Sequence, residues 1–207
     1  MLFRSLDPED LREVFGKYHK DVATVVGRFD GFVAKYMGDG VLAYFGYPRA
    51  HEDDAERAVR AGLQIVTTAR PVPAAPGGRL PVRVGIATGL VVVGDLIGAG
   101  ESQERSVVGE TPNLAARLQT LAEPDCVVID ANTHQLTSGI FEYEELGMVE
   151  LRGFLEPVRA WRVRGESTIE SRFEALHSAA ALTPLVGRTR SRCWLSAGFR
   201  QSQVRDR

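Results

Sequence analysis

Apolar side chains recur at intervals of three and four residues over residues 7–29, and this spacing predicts a helix with one apolar face. A second stripe of the same kind predicts a helix over 51–68, where acidic residues fill the first turn. Between the two helices, residues 32–47 contain two short runs rich in β-branched and aromatic residues. These runs flank Gly38-Asp39-Gly40, which predicts a β-hairpin that turns at the glycines.

The second half of the domain alternates between strand and helix patterns. Residues 71–80 hold three prolines and two glycines, which predicts a loop. The other predicted elements are strands over 82–88, 90–97, 126–130, 141–152 and 158–164, a helix over 111–121, and a short helix over 131–138. This order predicts an α+β fold, in which helices pack on one side of an antiparallel-rich sheet.

The composition narrows the class of protein. The 207 residues are 44% hydrophobic and 25% charged, which is typical of a soluble globular domain and excludes collagen-like and coiled-coil proteins. A formal charge of −2 gives no overall basic field for nucleic acid. Apolar runs are too short to span a bilayer, and Cys126 and Cys193 lack metal-ligand neighbours in the sequence. We therefore predict a cytoplasmic protein with no membrane or nucleic-acid partner.

The C-terminal part of the chain has a different character. We predict that a folded domain covers residues 1–165 and is followed by a linker over 166–187 and an Arg-rich tail over 188–207. The tail contains six Arg and one Asp, a net charge of +5. Such a tail could bind nucleic acid or an acidic membrane surface, but its few apolar residues favour an unstructured end.

The predicted hairpin carries the first candidate functional residues. Lys35 and Asp39 lie four positions apart, and Asp39 sits at the turn between glycines that allow a ligand to approach closely. A carboxylate in such a place is suited to Mg²⁺, which takes oxygen ligands and keeps substrate phosphates in its shell. The alternative is an ordinary hairpin, in which Asp39 serves as a favoured turn residue.

A second candidate pair lies on the predicted helix over 111–121. Asn113 and Arg117 are i and i+4, so their side chains project from one face while apolar residues occupy the other. The guanidinium of Arg117 is suited to binding phosphate, and the amide of Asn113 could hold a ribose oxygen. The alternative is a solvated arginine and an asparagine close to the helix cap.

Taken together, three segments resemble the catalytic domain of the class III nucleotidyl cyclases. These segments are KYMGDGVLAYFG, VRVGIATGLVVVGDLIG and VVGETPNLAARLQ, in the order and spacing of that family. The resemblance covers residues 6–163, and within the family it favours the soluble, bicarbonate-responsive type of adenylyl cyclase. It implies the ferredoxin-like class III cyclase fold.

The resemblance implies a role for each matching residue. Asp39 corresponds to the second of two metal-binding aspartates, and Lys35 to the lysine that reads the purine edge in adenylyl cyclases. Ser106 occupies the position of a second base-recognition residue, where the soluble type has Thr. Asn113 corresponds to the asparagine that orients the ribose, and Arg117 to the arginine that stabilises the pentavalent phosphorus. Lys35 therefore favours ATP over GTP as the substrate.

The resemblance also implies the reaction and the assembly. Adenylyl cyclases of the family convert ATP to 3′,5′-cyclic AMP and pyrophosphate with Mg²⁺ or Mn²⁺, and they work as head-to-tail homodimers with active sites at the interface. The metal aspartates come from one protomer, and the lysine, asparagine and arginine come from the other. The family also places a basic residue for the triphosphate near the last hairpin, and Arg152 is the nearest candidate. A purely structural role for Arg152 is the alternative.

The sequence departs from the family pattern at both ends. Family members carry the first metal aspartate in a strand before the first helix, whereas this chain opens almost directly on that helix. Without that aspartate we expect a rate lower by about 10²–10⁴ than that of a complete site. Residues 183–188 resemble the entry into an ATPase domain, which the following residues do not continue. We expect a fragment of a longer protein, and a catalytically inactive cyclase-fold dimerisation or regulatory module is the alternative function.

Overall fold

The computed structural model describes residues 8–69, 73–75, 78–79, 81–95 and 105–167. The helices are α1 (Pro8–Arg28), α2 (Asp54–Ala69), α3 (Glu110–Leu121) and α4 (Ala131–Leu136). The strands are β1 (Phe32–Met37), β2 (Gly40–Tyr44), β3 (Pro73–Ala75), β4 (Gly78–Arg79), β5 (Arg83–Ile86), β6 (Val92–Asp95), β7 (Arg105–Val108), β8 (Cys126–Asp130), β9 (Phe141–Val149) and β10 (Val158–Glu166). Within these ranges, no helix combines the length and the apolarity that a membrane crossing requires. The Arg-rich tail and nearly all of the predicted linker lie outside the described residues, which end at residue 167.

Four strands form the main sheet in the order β5-β8-β10-β9. β5 is parallel to β8, whereas the β8-β10 and β10-β9 pairs are antiparallel. Three further pairs, β1-β2, β3-β4 and β6-β7, form separate antiparallel two-stranded sheets. The predicted α+β class with an antiparallel-rich sheet is therefore confirmed.

Helices cover both faces of the main sheet, so the prediction that they pack on one side is wrong. On one face, Val59 of α2 packs in a cluster with Val127 of β8. On the other face, Leu118 of α3 packs with Val128 of β8. Successive residues of a strand point to opposite faces, so the unbroken apolar run of β8 buries both of its faces.

The strands that precede α3 also differ from the prediction. The region 71–80, predicted as a loop, contains the short strands β3 and β4, which pair with each other. The predicted strand over 90–97 is the shorter β6, and it pairs with β7. The sequence predicts no strand at β7, because a run of two valines is too short for an alternation pattern to identify.

A buried polar network fixes the junction between β8 and α4. Oδ1 of Asp130 accepts hydrogen bonds from the backbone N–H of Thr133 at 3.0 Å and from the Thr133 hydroxyl at 2.5 Å. The same oxygen accepts the backbone N–H of Thr88, just beyond β5, at 3.3 Å. Asp130 and Thr133 are both buried, so a lost partner could not be replaced by bulk water. The network therefore joins β5, β8 and α4.

We expect Asp130→Ala to lower the free energy of unfolding by about 3 kcal/mol, because it removes a helix cap and leaves buried donors unpaired. Asp130→Asn is the matched control, since its amide oxygen can still accept these bonds, and we expect it to cost about 1 kcal/mol. Urea unfolding followed by circular dichroism measures both values. Equal losses in the two variants would show that the acceptor oxygen is not what stabilises the junction.

Candidate functional site

The β1-β2 hairpin presents Lys35 and Asp39 as the sequence predicts. Met37 pairs with Gly40, so Gly38 and Asp39 form a two-residue turn. Gly38 has a φ of 64°, which suits the first central position of a type II′ turn. Lys35 and Asp39 are both exposed, so both side chains are accessible to a ligand. The predicted hairpin is confirmed, while the roles of its two polar residues stay predictions.

The entry into the hairpin is held by tight packing and by a bridge to α2. A Cβ atom on Gly31, between α1 and β1, would lie 2.7 Å from the Phe45 ring, so a larger residue there would force that ring to shift. Arg57 of α2 donates hydrogen bonds to the carboxylates of Asp30 and Asp53, at 2.5 and 2.8 Å. The hydrogen bond from Arg57 lowers the pKa of Asp53 below its usual value. These contacts connect the base of the hairpin to the helical layer.

The second candidate pair lies on the exposed face of α3. Asn113 and Arg117 are both exposed and one helical turn apart, whereas Leu118 on the opposite face is fully buried. A hydrogen-bonding amide and a guanidinium are therefore available to one ligand from one face. This arrangement confirms the predicted helix and the predicted placement of both side chains on it.

Gly85 brings α3 unusually close to the main sheet. A Cβ atom on Gly85 of β5 would lie 2.2 Å from the backbone oxygen of Ala115 and 2.3 Å from the backbone nitrogen of Gln119. Both of these atoms belong to the backbone of α3, so they could not move aside as the end of a side chain could. The lack of a side chain on Gly85 therefore allows α3 to lie close to β5. The distance between α3 and β5 in turn determines the positions of Asn113 and Arg117.

The loop after β5 ties the start of α3 to the rest of the fold. The Thr111 hydroxyl, in the first turn of α3, donates a hydrogen bond to the Leu90 carbonyl at 3.3 Å. Asn132 of α4 donates to the Thr88 carbonyl at 3.0 Å, and the hydroxyls of Thr88 and Thr133 are 2.7 Å apart. The loop is therefore bound to α3 at one end and to α4 at the other.

The remaining candidate residues lie elsewhere. Arg152 is exposed in the turn between β9 and β10. It is one of the residues 150–157 that line a shallow pocket of about 430 Å³. Ser106 lies in β7 opposite Gly94 of β6, and its side chain is outside the part of the structure that is described. Within one chain, the hairpin packs on α1, whereas α3 packs on β5 and β8. Lys35 and Asp39 are therefore held by packing on α1, whereas Asn113 and Arg117 are held by packing of α3 on β5 and β8.

Among the described residues of one chain, Asp39 does not belong to a metal-binding cluster. Over the residues whose structure is described, no group of three or more His, Cys, Asp or Glu side chains could hold a metal ion. One carboxylate at an exposed turn is too small a donor set for Mg²⁺, which prefers several oxygen ligands. The described residues of a single chain therefore do not fit a complete metal site.

Comparison with known proteins identifies the family. The profile of the adenylate and guanylate cyclase catalytic domain matches residues 1–165. The chain belongs to this family. This cyclase domain has the fold of the solved adenylyl cyclase CyaB from P. aeruginosa, with a TM-score of 0.72 and 26% identity over 81% of this chain and 86% of that chain.

Curated relatives are much longer than this cyclase domain. An uncharacterized protein of Rhizobium meliloti (strain 1021) is 32% identical over 90% of this chain and 18% of its own length. Adenylate cyclase 1 of the same organism is 29% identical over 82% of this chain and 24% of its own length. The chain thus spans about a fifth of the length of these two relatives.

Sequence reasoning missed the residues that support the site of this cyclase domain. Gly85 carries a signal that could have been used, because a glycine inside a strand often marks a close approach of another backbone. Tyr18 and His19 of α1 lie next to the hairpin, where the charge of Asp39 acts on Tyr18 and the His19 ring lies 4.7 Å from the Tyr36 ring. Their spacing within α1 gives no sign of that contact, since the helix pattern shows only that one face is apolar.

Proposed function

We propose that this cyclase domain is an adenylate cyclase, which converts ATP to 3′,5′-cyclic AMP and pyrophosphate in cyclic-nucleotide signalling. The observation that carries the proposal is the pair of exposed side chains on α3, where Asn113 lies one helical turn from Arg117. The same helix packs closely against Gly85 of β5. This pair offers one amide and one permanent positive charge on a rigid support. The likeness to proteins named adenylate or adenylyl cyclase supports the choice of reaction.

The reaction requires that the protein stabilise the negative charge that develops on the α-phosphate. The ribose 3′-oxygen gives up its proton to solvent and forms a bond to the α-phosphorus, while the bond from that phosphorus to the bridging oxygen of the β-phosphate breaks and pyrophosphate leaves. Negative charge builds on the α-phosphate oxygens as these bonds change. The guanidinium of Arg117 binds that charge, and the amide of Asn113 orients the ribose, so both groups act where the transition state differs from the substrate.

The assembly that we propose is a head-to-tail homodimer. Within one chain, Asp39 lies on a hairpin supported by α1, whereas Asn113 and Arg117 lie on α3, which is supported by β5 and β8. In the proposed dimer, Asp39 of one copy faces Lys35, Asn113 and Arg117 of the other. Each active site then takes residues from two chains, and a monomer has none.

The proposed cofactor is Mg²⁺ or Mn²⁺, and Asp39 is its one proposed carboxylate ligand. Among the described residues of one chain, Asp39 is not part of any group of three or more His, Cys, Asp or Glu that could hold the ion. We therefore assign the chemistry of the reaction to Asn113 and Arg117. Arg152 is proposed to bind the triphosphate from the exposed turn between β9 and β10.

The proposed preference for ATP depends on Lys35, with Ser106 as the second residue that recognises the base. A lysine offers only donors, which match the N1 acceptor of adenine, whereas guanine presents an N–H donor at that position. We expect Lys35→Glu to lower the ratio of kcat/KM for ATP to that for GTP by about 10-fold or more. The reason is that the glutamate carboxylate accepts a hydrogen bond from guanine but offers no donor to N1 of adenine. Cyclase assays with each nucleotide measure the ratio.

Lys17→Glu is the control for this prediction, because Lys17 is an exposed residue of α1 and the substitution changes charge by the same amount. We expect its ATP-to-GTP ratio to equal that of the wild type. A ratio left unchanged by Lys35→Glu would remove Lys35 from base recognition.

The direct test of the proposed function is cyclic AMP formation from ATP in the presence of Mn²⁺, with mass-spectrometric detection of the product. We expect the wild-type chain to form cyclic AMP and the Asp39→Ala variant to form far less. Asp39 is exposed, so its loss is not expected to unfold the protein. Equal signals from the two proteins would refute the catalytic proposal.

The second candidate function is a catalytically inactive cyclase module that dimerises with or regulates a partner. The observation in its favour is that the described residues contain no group of three metal-binding side chains. This candidate predicts dimers in sedimentation experiments but no cyclic AMP at any concentration of Mn²⁺. The same assay therefore separates the two functions.

A further inference from the structure

The hairpin that carries Lys35 and Asp39 is supported by an aromatic contact with α1. β1 and β2 pair only with each other among the described strands, so the main sheet does not hold them in place through hydrogen bonds. The ring of His19 in α1 lies 4.7 Å from the ring of Tyr36 in β1, with an angle of 37° between the planes. Tyr36 follows Lys35 directly in the strand, so this contact lies beside the residue proposed to read the base.

Within the described ranges, the structure shows an aromatic contact for the His19 ring but no hydrogen bond at its Nε2 atom. Its Nε2 atom is buried and has no hydrogen-bond partner among the described residues. A buried ring nitrogen without a partner gains nothing from hydrogen bonding, so the packing of the ring against its neighbours is the interaction that the described residues show. An aromatic ring is well suited to this purpose, since offset or tilted rings at this distance attract each other.

Tyr18 adds a second link between α1 and the tip of the hairpin. Burial raises the pKa of the Tyr18 phenol above its usual value, and the negative charge of Asp39 raises that pKa further. The phenol is therefore neutral at physiological pH and can act as a hydrogen-bond donor. Because the charge of Asp39 acts on Tyr18, the two side chains belong to one electrostatic neighbourhood. α1 thus contacts the hairpin through His19 and Tyr36, beside Lys35, and the charge of Asp39 at the turn acts on Tyr18 of α1.

We propose that His19 is a positioning residue, which sets the place of Lys35 and Asp39 by packing its ring, at a tilt, against Tyr36. On the strand, Tyr36 and Lys35 point to opposite faces, so the face held against α1 is the reverse of the face that carries Lys35. A displacement of Tyr36 is therefore expected to displace the neighbouring Lys35 as well. The role in nucleotide selection rests on the proposed function, whereas the role in holding the hairpin does not.

The experiment compares His19→Ala, which removes the ring, with His19→Phe, which keeps a ring and removes the nitrogens. Hydrogen–deuterium exchange of the segment 32–44 reports how often the hairpin opens locally, without any nucleotide. We expect His19→Ala to accelerate this exchange about 10-fold, and His19→Phe to stay within about twofold of the wild type. Val59→Ala is the control for general destabilisation, because Val59 is buried in the cluster between α2 and the main sheet.

In the same proteins we expect His19→Ala to lower the ATP-to-GTP ratio of kcat/KM about fivefold, while Val59→Ala lowers the unfolding temperature and leaves that ratio unchanged. His19→Phe should restore the wild-type ratio. The proposal is overturned if His19→Ala leaves the exchange unchanged, if Val59→Ala accelerates it equally, or if the hairpin loosens without a change in the ratio. A wild-type chain that forms no cyclic nucleotide would refute the proposed function, and the exchange data would still decide whether His19 holds the hairpin.

Discussion

Replacement of Arg117 by alanine is expected to lower kcat for cyclic AMP formation about 100-fold or more and to leave the unfolding temperature nearly unchanged. The Arg117 side chain is exposed, and it belongs to neither cluster of buried residues, so folding does not depend on it. In the proposed mechanism its charge is needed most when negative charge builds on the α-phosphate. The loss should therefore appear in kcat more than in KM.

The matched control for Arg117 is Thr120→Ala on the same helix. Thr120 is also exposed, and its hydroxyl donates only to the Ala116 carbonyl of its own helix, at 3.0 Å. We expect wild-type kcat from this variant. An Arg117→Ala protein with undiminished kcat would mean that the guanidinium does not act on the transition state.

Replacement of Gly85 by alanine is the second large expected effect. The added methyl group would overlap two backbone atoms of α3, at 2.2 and 2.3 Å, so the helix must move away from β5. We expect a loss of about 3 kcal/mol in the free energy of unfolding, the upper range for overpacking. The displaced helix carries Asn113 and Arg117, so kcat should also fall about 100-fold in protein that is still folded. Urea unfolding and cyclase assays on the same preparation measure the two effects.

Gly16→Ala provides the control, because it makes the same chemical change in an open place. Gly16 lies in α1, and an added Cβ would have no atom within 4 Å. Alanine favours helix over glycine by up to about 1 kcal/mol, so this variant should be slightly more stable than the wild type. If Gly85→Ala were as stable as Gly16→Ala, the close contact between α3 and β5 would not control the site.

Local patterns in the sequence were enough to predict the elements that carry the candidate residues. The turn at Gly38 and Asp39 is predictable because a two-residue hairpin turn needs glycine where φ is positive. α3 is predictable because Leu118 and its neighbours repeat at helical spacing, which leaves Asn113 and Arg117 on the other face. The resemblance of three segments to the class III cyclases indicated the family, which the match over residues 1–165 establishes.

Features that depend on distant contacts were not predictable in this way. The pairing of β6 with β7 joins residues on either side of a long connection, and local propensity contains no information on such a pairing. The packing of α3 against Gly85 depends on how a helix and a strand cross in space. The tilted contact of the His19 ring with the Tyr36 ring joins two elements in the same way. Each of these contacts joins two elements that are separate in the sequence, so a search for chemically active residues passes over them.

The central claim is that two copies of this chain build each active site together, and mixing two inactive variants tests it most directly. In a mixed dimer of Asp39→Ala and Arg117→Ala chains, one site carries both substitutions and the other carries neither. Random pairing makes half of the dimers mixed, so we expect about a quarter of the wild-type activity. Asn113→Ala mixed with Arg117→Ala is the control, because both residues come from the same side of the site and every site remains defective. Recovery of cyclic AMP formation in the first mixture and not in the second would agree with the account, whereas a first mixture no more active than its separate components would contradict it.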